Sequence, residues 1–250
     1  MHIRLFIILY LLAVKVDAQT HRIDSIKKLL PSLSGHVEVN SVNALATEYY
    51  FYWVHSDSAL KYTSLAYKQA SKIQYKTGKA EALLIHAGVV GRLLGRPVEM
   101  EQYARLAIEI LKDENDLKTL SMAFYYQGVG LTIQGRYHEA EEPFEKAKQL
   151  AIAAKDKFSL GWAEEGIGFM YFKGGKYWKS FEHLIEAQQI GKELNDSVLT
   201  TLSLAILQEH SIWQVTLKKH LVIIINHFNT LCHLSGYGHT TKTWLMLICR

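Results

Sequence analysis

A fixed step of forty residues constrains this chain more than anything in its composition. Gly88, Gly128 and Gly168 keep that step, and so do Gly95, Gly135 and Gly175. Ala107, Ala147 and Ala187 follow it, then Ile110, Leu150 and Ile190, and finally Asp116, Asp156 and Asp196. Five residue columns at one period point to a stacked array of similar units, not to one globular core. In such an array each unit packs on its neighbours alone, so small-residue columns and turn glycines read as packing and turn geometry.

The unit from Ser121 to Lys155 shows the plan most clearly. Phe124, Gly128 and Leu131 lie on one helical face, Gln134-Gly135-Arg136 interrupts, and Tyr137, Ala140, Phe144, Ala147 and Leu150 resume the helical spacing. Two antiparallel helices joined by a tight turn are predicted. Gly135 suits the left-handed stop that ends many helices, while Gly128 and Ala140 let two helices approach closely. Phe144 is expected to fill the space against the following unit. The next unit repeats the plan with Gly168, Gly175, Leu184 and Ala187, and the preceding one with Gly88, Gly95, Met100 and Ala104. An earlier unit, carrying Tyr50, Ala59, Tyr62 and Ala66, runs about one residue out of phase and has His55-Ser56-Asp57 where the turn glycine is due. Ser56 or Asp57 is the predicted N-cap there. The aspartates at 116, 156 and 196 are predicted caps or turns between units. Pro97 and Pro143 read as lying near helix starts, where a missing N–H costs little.

Gly128-x-x-Leu131-x-x-x-Gly135-x-Tyr137-x-x-Ala140-x-x-x-Phe144-x-x-Ala147 resembles the tetratricopeptide repeat, as does Gly168-x-x-Tyr171-x-x-x-Gly175-x-Tyr177 continuing to Ala187. The resemblance spans about residues 40–215 and implies an all-α, right-handed superhelical solenoid of helix pairs. The period is longer than the family's usual one, which implies longer helices, and the family's proline after the second helix is absent. The expected organisation is a leader at 1–18, a capping helix at 19–37, repeats over 38–219 and an atypical tail at 220–250. The repeats are expected at about 41–76, 81–117, 121–157 and 161–197, with a half repeat at 199–219. The capping helix rests on the apolar stripe Ile23, Ile26, Leu29 and Leu30, because an end repeat leaves one apolar face open.

If the array follows the family geometry, first helices line a concave groove. The resemblance places Met122, Tyr125, Val129 and Ile133 of the third unit there, with Trp162, Glu165, Phe169 and Phe172 of the fourth. Tyr and Trp bury area at low entropy cost, which makes Tyr125 and Trp162 the expected main contacts. Such a groove suits an extended peptide or an amphipathic helix.

The net charge of +4 does not alter this reading. Residues 19–209 carry 22 Lys and Arg against 23 Asp and Glu, so the basic excess belongs to the tail and the repeats show no nucleic-acid footprint. Glu141-Glu142 and Glu164-Glu165 are neighbours on helices and do not face each other. His138-Glu139 lacks the second histidine of a zinc helix, and Gly236-Tyr237-Gly238 has no helix after it. His220, His227, Cys232, His233 and His239 match no common zinc spacing. The chain reads as a non-catalytic module without metal or cofactor, its expected partner a protein or peptide and not a nucleic acid.

Arg4, the apolar run Leu5 to Val14 and Val16-Asp17-Ala18 before Gln19 read as a secretory signal peptide. The run is shorter than the roughly 20 residues a spanning helix needs. Both cysteines, Cys232 and Cys249, fall in the tail, so the repeats carry no disulfide framework, which suits a bacterial periplasm. From His210 onward acids vanish and five of the 12 histidines appear. Three readings fit that stretch: an odd C-terminal segment, a membrane anchor built on apolar runs too short to span, or residues foreign to the fold such as a shifted reading frame produces. Poor order is expected beyond about residue 220. Exported arrays of this kind resemble the N-terminal sensory part of bacterial two-component sensor kinases. That resemblance implies an input portion that meets the membrane only through an uncleaved leader or a missing C-terminal part. A free-standing periplasmic scaffold is the alternative.

Overall fold

The computed structural model describes residues 22–51 and 55–209. The helical array lies in a compact unit that ends at residue 204. The expected leader at 1–18 and tail at 220–250, with the histidines and cysteines of that tail, lie outside the described residues.

Eight helices succeed one another: α1 (Gly35–Phe51), α2 (Ser56–Lys72), α3 (Lys76–Gly88), α4 (Pro97–Leu111), α5 (Leu117–Ile133), α6 (Tyr137–Ala153), α7 (Lys157–Lys173) and α8 (Tyr177–Glu193). Each packs on the next, and the first helices of successive pairs also touch, α1 on α3, α3 on α5 and α5 on α7. Short connections make sequence neighbours antiparallel. The result is an all-α solenoid of tetratricopeptide-like helix pairs, without strands among the described residues. A helix over residues 22–29 and a 3-10 turn, Leu30–Ser32, precede α1, with Ile23 buried. Another helix begins at residue 197. The first helices start a few residues ahead of the repeat limits read from the glycine columns.

Turn chemistry explains where the helices stop. Gly95, Gly135 and Gly175 take φ of +67°, +78° and +74° within the pairs, the left-handed conformation in which a Cβ is costly. Between pairs the three aspartates act as N-caps: Asp116 accepts from Thr119 N, Asp156 from Ser159 N and Asp196 from Leu199 N, each at 3.1 Å. Lys155 and Asn195, just before two of these caps, are also left-handed, at φ 53° and 54°. Two local expectations are corrected. The cap of α2 is His55, whose Nδ1 accepts from Ser58 N at 3.4 Å; the helix starts at Ser56, so Ser56 and Asp57 already belong to its first turn. Pro97 does open α4, but Pro143 lies well inside α6, where it cannot donate to the Glu139 carbonyl.

Packing between pairs depends on close approach. A Cβ on Gly128 would stand 2.8 Å from the Phe144 ring, and one on Gly166 would stand 2.2 Å from its Cε1. Phe144 thus sits between α5 and α7, as the sequence suggests. Gly168 meets Leu184 in the same way, at 2.6 Å, and Ala140, Ala147 and Ala187 are fully buried. Gly88 does not share this role, because it faces Tyr50 of the preceding pair. The reason is an extra residue. From Lys76 to Leu117 the step is 41, whereas from Leu117 to Lys157 it is 40. The surplus is taken up in a π-helical turn, Val89–Leu93, that continues α3. There Arg96 N bonds Val90 O (2.9 Å), while Arg136 N and Lys176 N at the equivalent helix ends reach back one residue less, to Leu131 O and Tyr171 O. The helices α2 and α3 ahead of this turn are one residue out of step with the later pairs, and α1 is two out, since the step from Gly35 to Lys76 is 41 as well.

Candidate functional site

Once the steps of 41, 41 and 40 between successive first helices are allowed for, one side chain per pair occupies the same place on the inner face: Asn40, Glu81, Met122 and Trp162. All four line a groove of about 580 Å³, a volume typical of ligand sites. One turn further on, Ala44, Ile85 and Tyr126 repeat the pattern. The two halves of the groove differ. The acceptor-bearing side chains Asn40, Asn43 and Glu81 come from α1 and α3. The large apolar ones, Met122, Tyr126, Phe158 and Trp162, come from α5 and α7. At the rim Lys118 Nζ is paired with Asp156 at 3.1 Å. Phe51, the last residue of α1, crosses to Trp162 with ring centroids 5.7 Å apart, and Phe158 stands 6.2 Å from the same indole.

Behind this wall the inner helices are tied by a buried polar cluster. The Arg92 guanidinium donates to the Tyr125 hydroxyl, which in turn donates to Glu165 Oε2 at 2.9 Å. Arg92 Nη2 and Glu165 Oε2 are 3.7 Å apart. Tyr50 and Tyr126 complete the group beside Arg92 and Glu165. Its members come from α1, the π turn after α3, α5 and α7, so one network links all four pairs. Burial pushes the hydroxyls of Tyr50, Tyr125 and Tyr126 up, so all three stay neutral donors. Burial alone would lower the Arg92 guanidinium, but Tyr125 and Glu165 outweigh it and hold the cation above its ordinary value.

This geometry redistributes the expected groove residues. Met122 and Trp162 line the groove. Tyr125, Val129 and Glu165 do not; all three are buried, between 0 and 2 % exposed. Ile133 is exposed at the end of α5. Phe169 and Phe172 are half-buried and lie near Lys173 Nζ, 5.6 and 5.9 Å from their centroids, away from the groove. The cause is curvature. Phe51 at the C-terminal end of α1 reaches Trp162 of α7, and Tyr50 beside it joins the buried cluster that encloses Tyr125 and Glu165. Residue spacing fixes rotation about a helix axis and carries no information on how tightly successive pairs wrap. Asn40, Asn43, Glu81 and Phe158 escape a reading by spacing for the same reason.

A second buried acid, Glu164, lies on the opposite side of α7. Its carboxylate is shared by Lys148 Nζ and His183 Nδ1, each 2.6 Å away. Burial alone would raise its pKa, but these partners outweigh burial and hold it below the usual carboxylate value. Glu101 is held likewise, by Gln134, Arg105 and Arg136. Each acid is paired with basic neighbours and reads as structural. Among the described residues no group of three or more His, Cys, Asp or Glu could hold a metal ion. Nor is any helix among them long and apolar enough to cross a membrane.

No family model and no curated protein matches the chain. Among solved structures it is similar to the crystal structure of the apo form of RapI, with TM-score 0.48 and 20% identity. The match covers 79% of this chain and 56% of that one, so the chain spans little more than half the length of RapI.

Proposed function

We propose that the array is a non-catalytic module that holds a protein or peptide segment in its concave groove. In the same reading it is exported to a bacterial periplasm and forms the ligand-sensing input part of a two-component signalling protein. One observation carries the binding role: equivalent positions of all four pairs, Asn40, Glu81, Met122 and Trp162, converge on one groove. A ligand there bears on α1, α3, α5 and α7 at once. It favours whichever curvature fits it, and a shift between two curvatures is a signal that a downstream element can read. The leader-like sequence at 1–18 and the long repeat period support the export and input roles.

The test uses an array of immobilised peptides probed with the full chain. Phe158 is 45% exposed and lines the groove, so Phe158→Glu places a charge there without disturbing the core. Binding should fall about tenfold or more while helicity is unchanged. Equal capture of the same peptides by both proteins would show that the ligand binds elsewhere. Fractionation tests export: the protein should be recovered from the periplasm with residues 1–18 removed.

A further inference from the structure

Asn43 is 4% exposed, and its amide orientation is fixed by chemistry. Its Nδ2 donates to Gly78 O at 3.0 Å and to Glu81 Oε2 at 3.1 Å. Turning the amide over would set Oδ1 against two acceptors, so Oδ1 must lie on the other side. There it is buried with no donor among the described residues. Leaving a buried acceptor unpaired is costly, and native structures avoid it unless something else supplies the donor. Glu81 adds to the demand. It is half-buried, and among the described residues no ammonium or guanidinium pairs with it. Burial pushes its carboxyl up; the Asn43 hydrogen bond opposes that, and the charge of Asp116 adds to it. The lysine of the groove, Lys118, is already committed to Asp156. This half of the groove is therefore short of donors and of positive charge.

The other half has the opposite need. Trp162 is 3% exposed and its Nε1–H has no acceptor among the described residues. Around it stand Met122 and Phe158. We propose that the groove takes a peptide segment carrying a lysine or arginine side chain. Its cation is seated against the Glu81 carboxylate, and an adjoining apolar side chain rests on Met122 and Phe158. The proposal rests on the peptide-binding reading above and names the chemistry of the peptide. Charge complementarity decides it: an acidic peptide would set its charge beside Glu81, and a wholly apolar one would leave Glu81 without a cation.

The probes are three mixtures of acetylated, amidated pentapeptides whose central residue is fixed as Lys, Glu or norleucine, with Ala, Leu and Phe at the other positions. Calorimetry on the full chain should give affinity for the Lys mixture about tenfold or more above the other two, the scale of a buried charged hydrogen bond. Glu81→Gln keeps an oxygen to accept from Asn43, so the fold should be retained, and the preference for Lys should collapse to near parity. Glu81→Asp should keep part of it. Equal binding of all three mixtures, a preference for Glu, or a Lys preference that survives in Glu81→Gln would overturn the assignment while leaving the groove as a peptide site. Failure of every mixture to bind would overturn the peptide-binding reading along with it.

Discussion

In the third and fourth pairs the first and second helices have the same length and opposite distributions of surface. α5 buries ten of its seventeen residues and α6 buries five; α7 and α8 repeat the same ten and five. The inner helices are enclosed on nearly every side, by their own partner and by the inner helices before and after. A helix covered all round has no solvent face on which to leave a charge. Charges that do occur there are paired, as Arg92 and Glu165 are, or they face the groove, as Glu81 does. The outer helices keep one apolar stripe and fill the rest with surface pairs such as Lys146–Glu142, 2.6 Å apart. A charge therefore means different things in the two layers. Inside it is a commitment that needs an explanation; outside it is solvation except where it is buried against a neighbouring pair, as Glu101 of α4 is.

The contrast is broken most directly at Arg92. Arg92→Met leaves the Glu165 carboxylate buried without its cation and should cost about 3–5 kcal/mol in urea unfolding. Adding Glu165→Gln should recover most of that loss, since the amide oxygen still accepts from Tyr125. A single variant that loses less than about 1 kcal/mol would mean the inner layer tolerates an unpaired charge, and the contrast between layers would fail. A smaller effect is expected where the layers meet. Gly166→Ala drives a Cβ into Phe144 and should cost about 1–3 kcal/mol, partly restored by Phe144→Leu, which shortens the intruding ring. If Phe144→Leu gives no relief, the strain lies elsewhere in α7. The smallest effect belongs to the outer face. Glu142→Ala removes the Lys146 pair and should leave the unfolding midpoint unchanged within error, because both side chains remain in water.

The features legible in the sequence are those that local backbone chemistry decides. Turn glycines at 95, 135 and 175, aspartate caps at 116, 156 and 196, and Phe144 between close-packed helices all depend on residues within one pair or its immediate neighbour. The groove depends on four pairs at once. Its lining emerges only when the phase is corrected, since Glu81 aligns with Met122 by a step of 41 residues and not 40. A signal for the buried cluster is nevertheless present. Glu165 stands where the other inner helices have Asn43, Leu84 and Tyr125, and Arg92 stands where they have Thr132 and Phe172. Two opposite charges, each alone in an uncharged column, are candidates for each other. Confirming the pair requires the wrapping that brings α3 and α7 together.

The π turn in α3 has a practical consequence for anyone who edits this molecule. It stores one surplus residue as a local widening of the helix, so the coils on either side stay aligned in space although their letters have drifted apart. A chimera cut every forty letters would join mismatched halves. Each side chain downstream of such a junction would swing by about 100° around its axis, carrying Arg92 off its acid. Cut at helix ends instead, the modules should be interchangeable, and the one carrying the bulge must be moved whole.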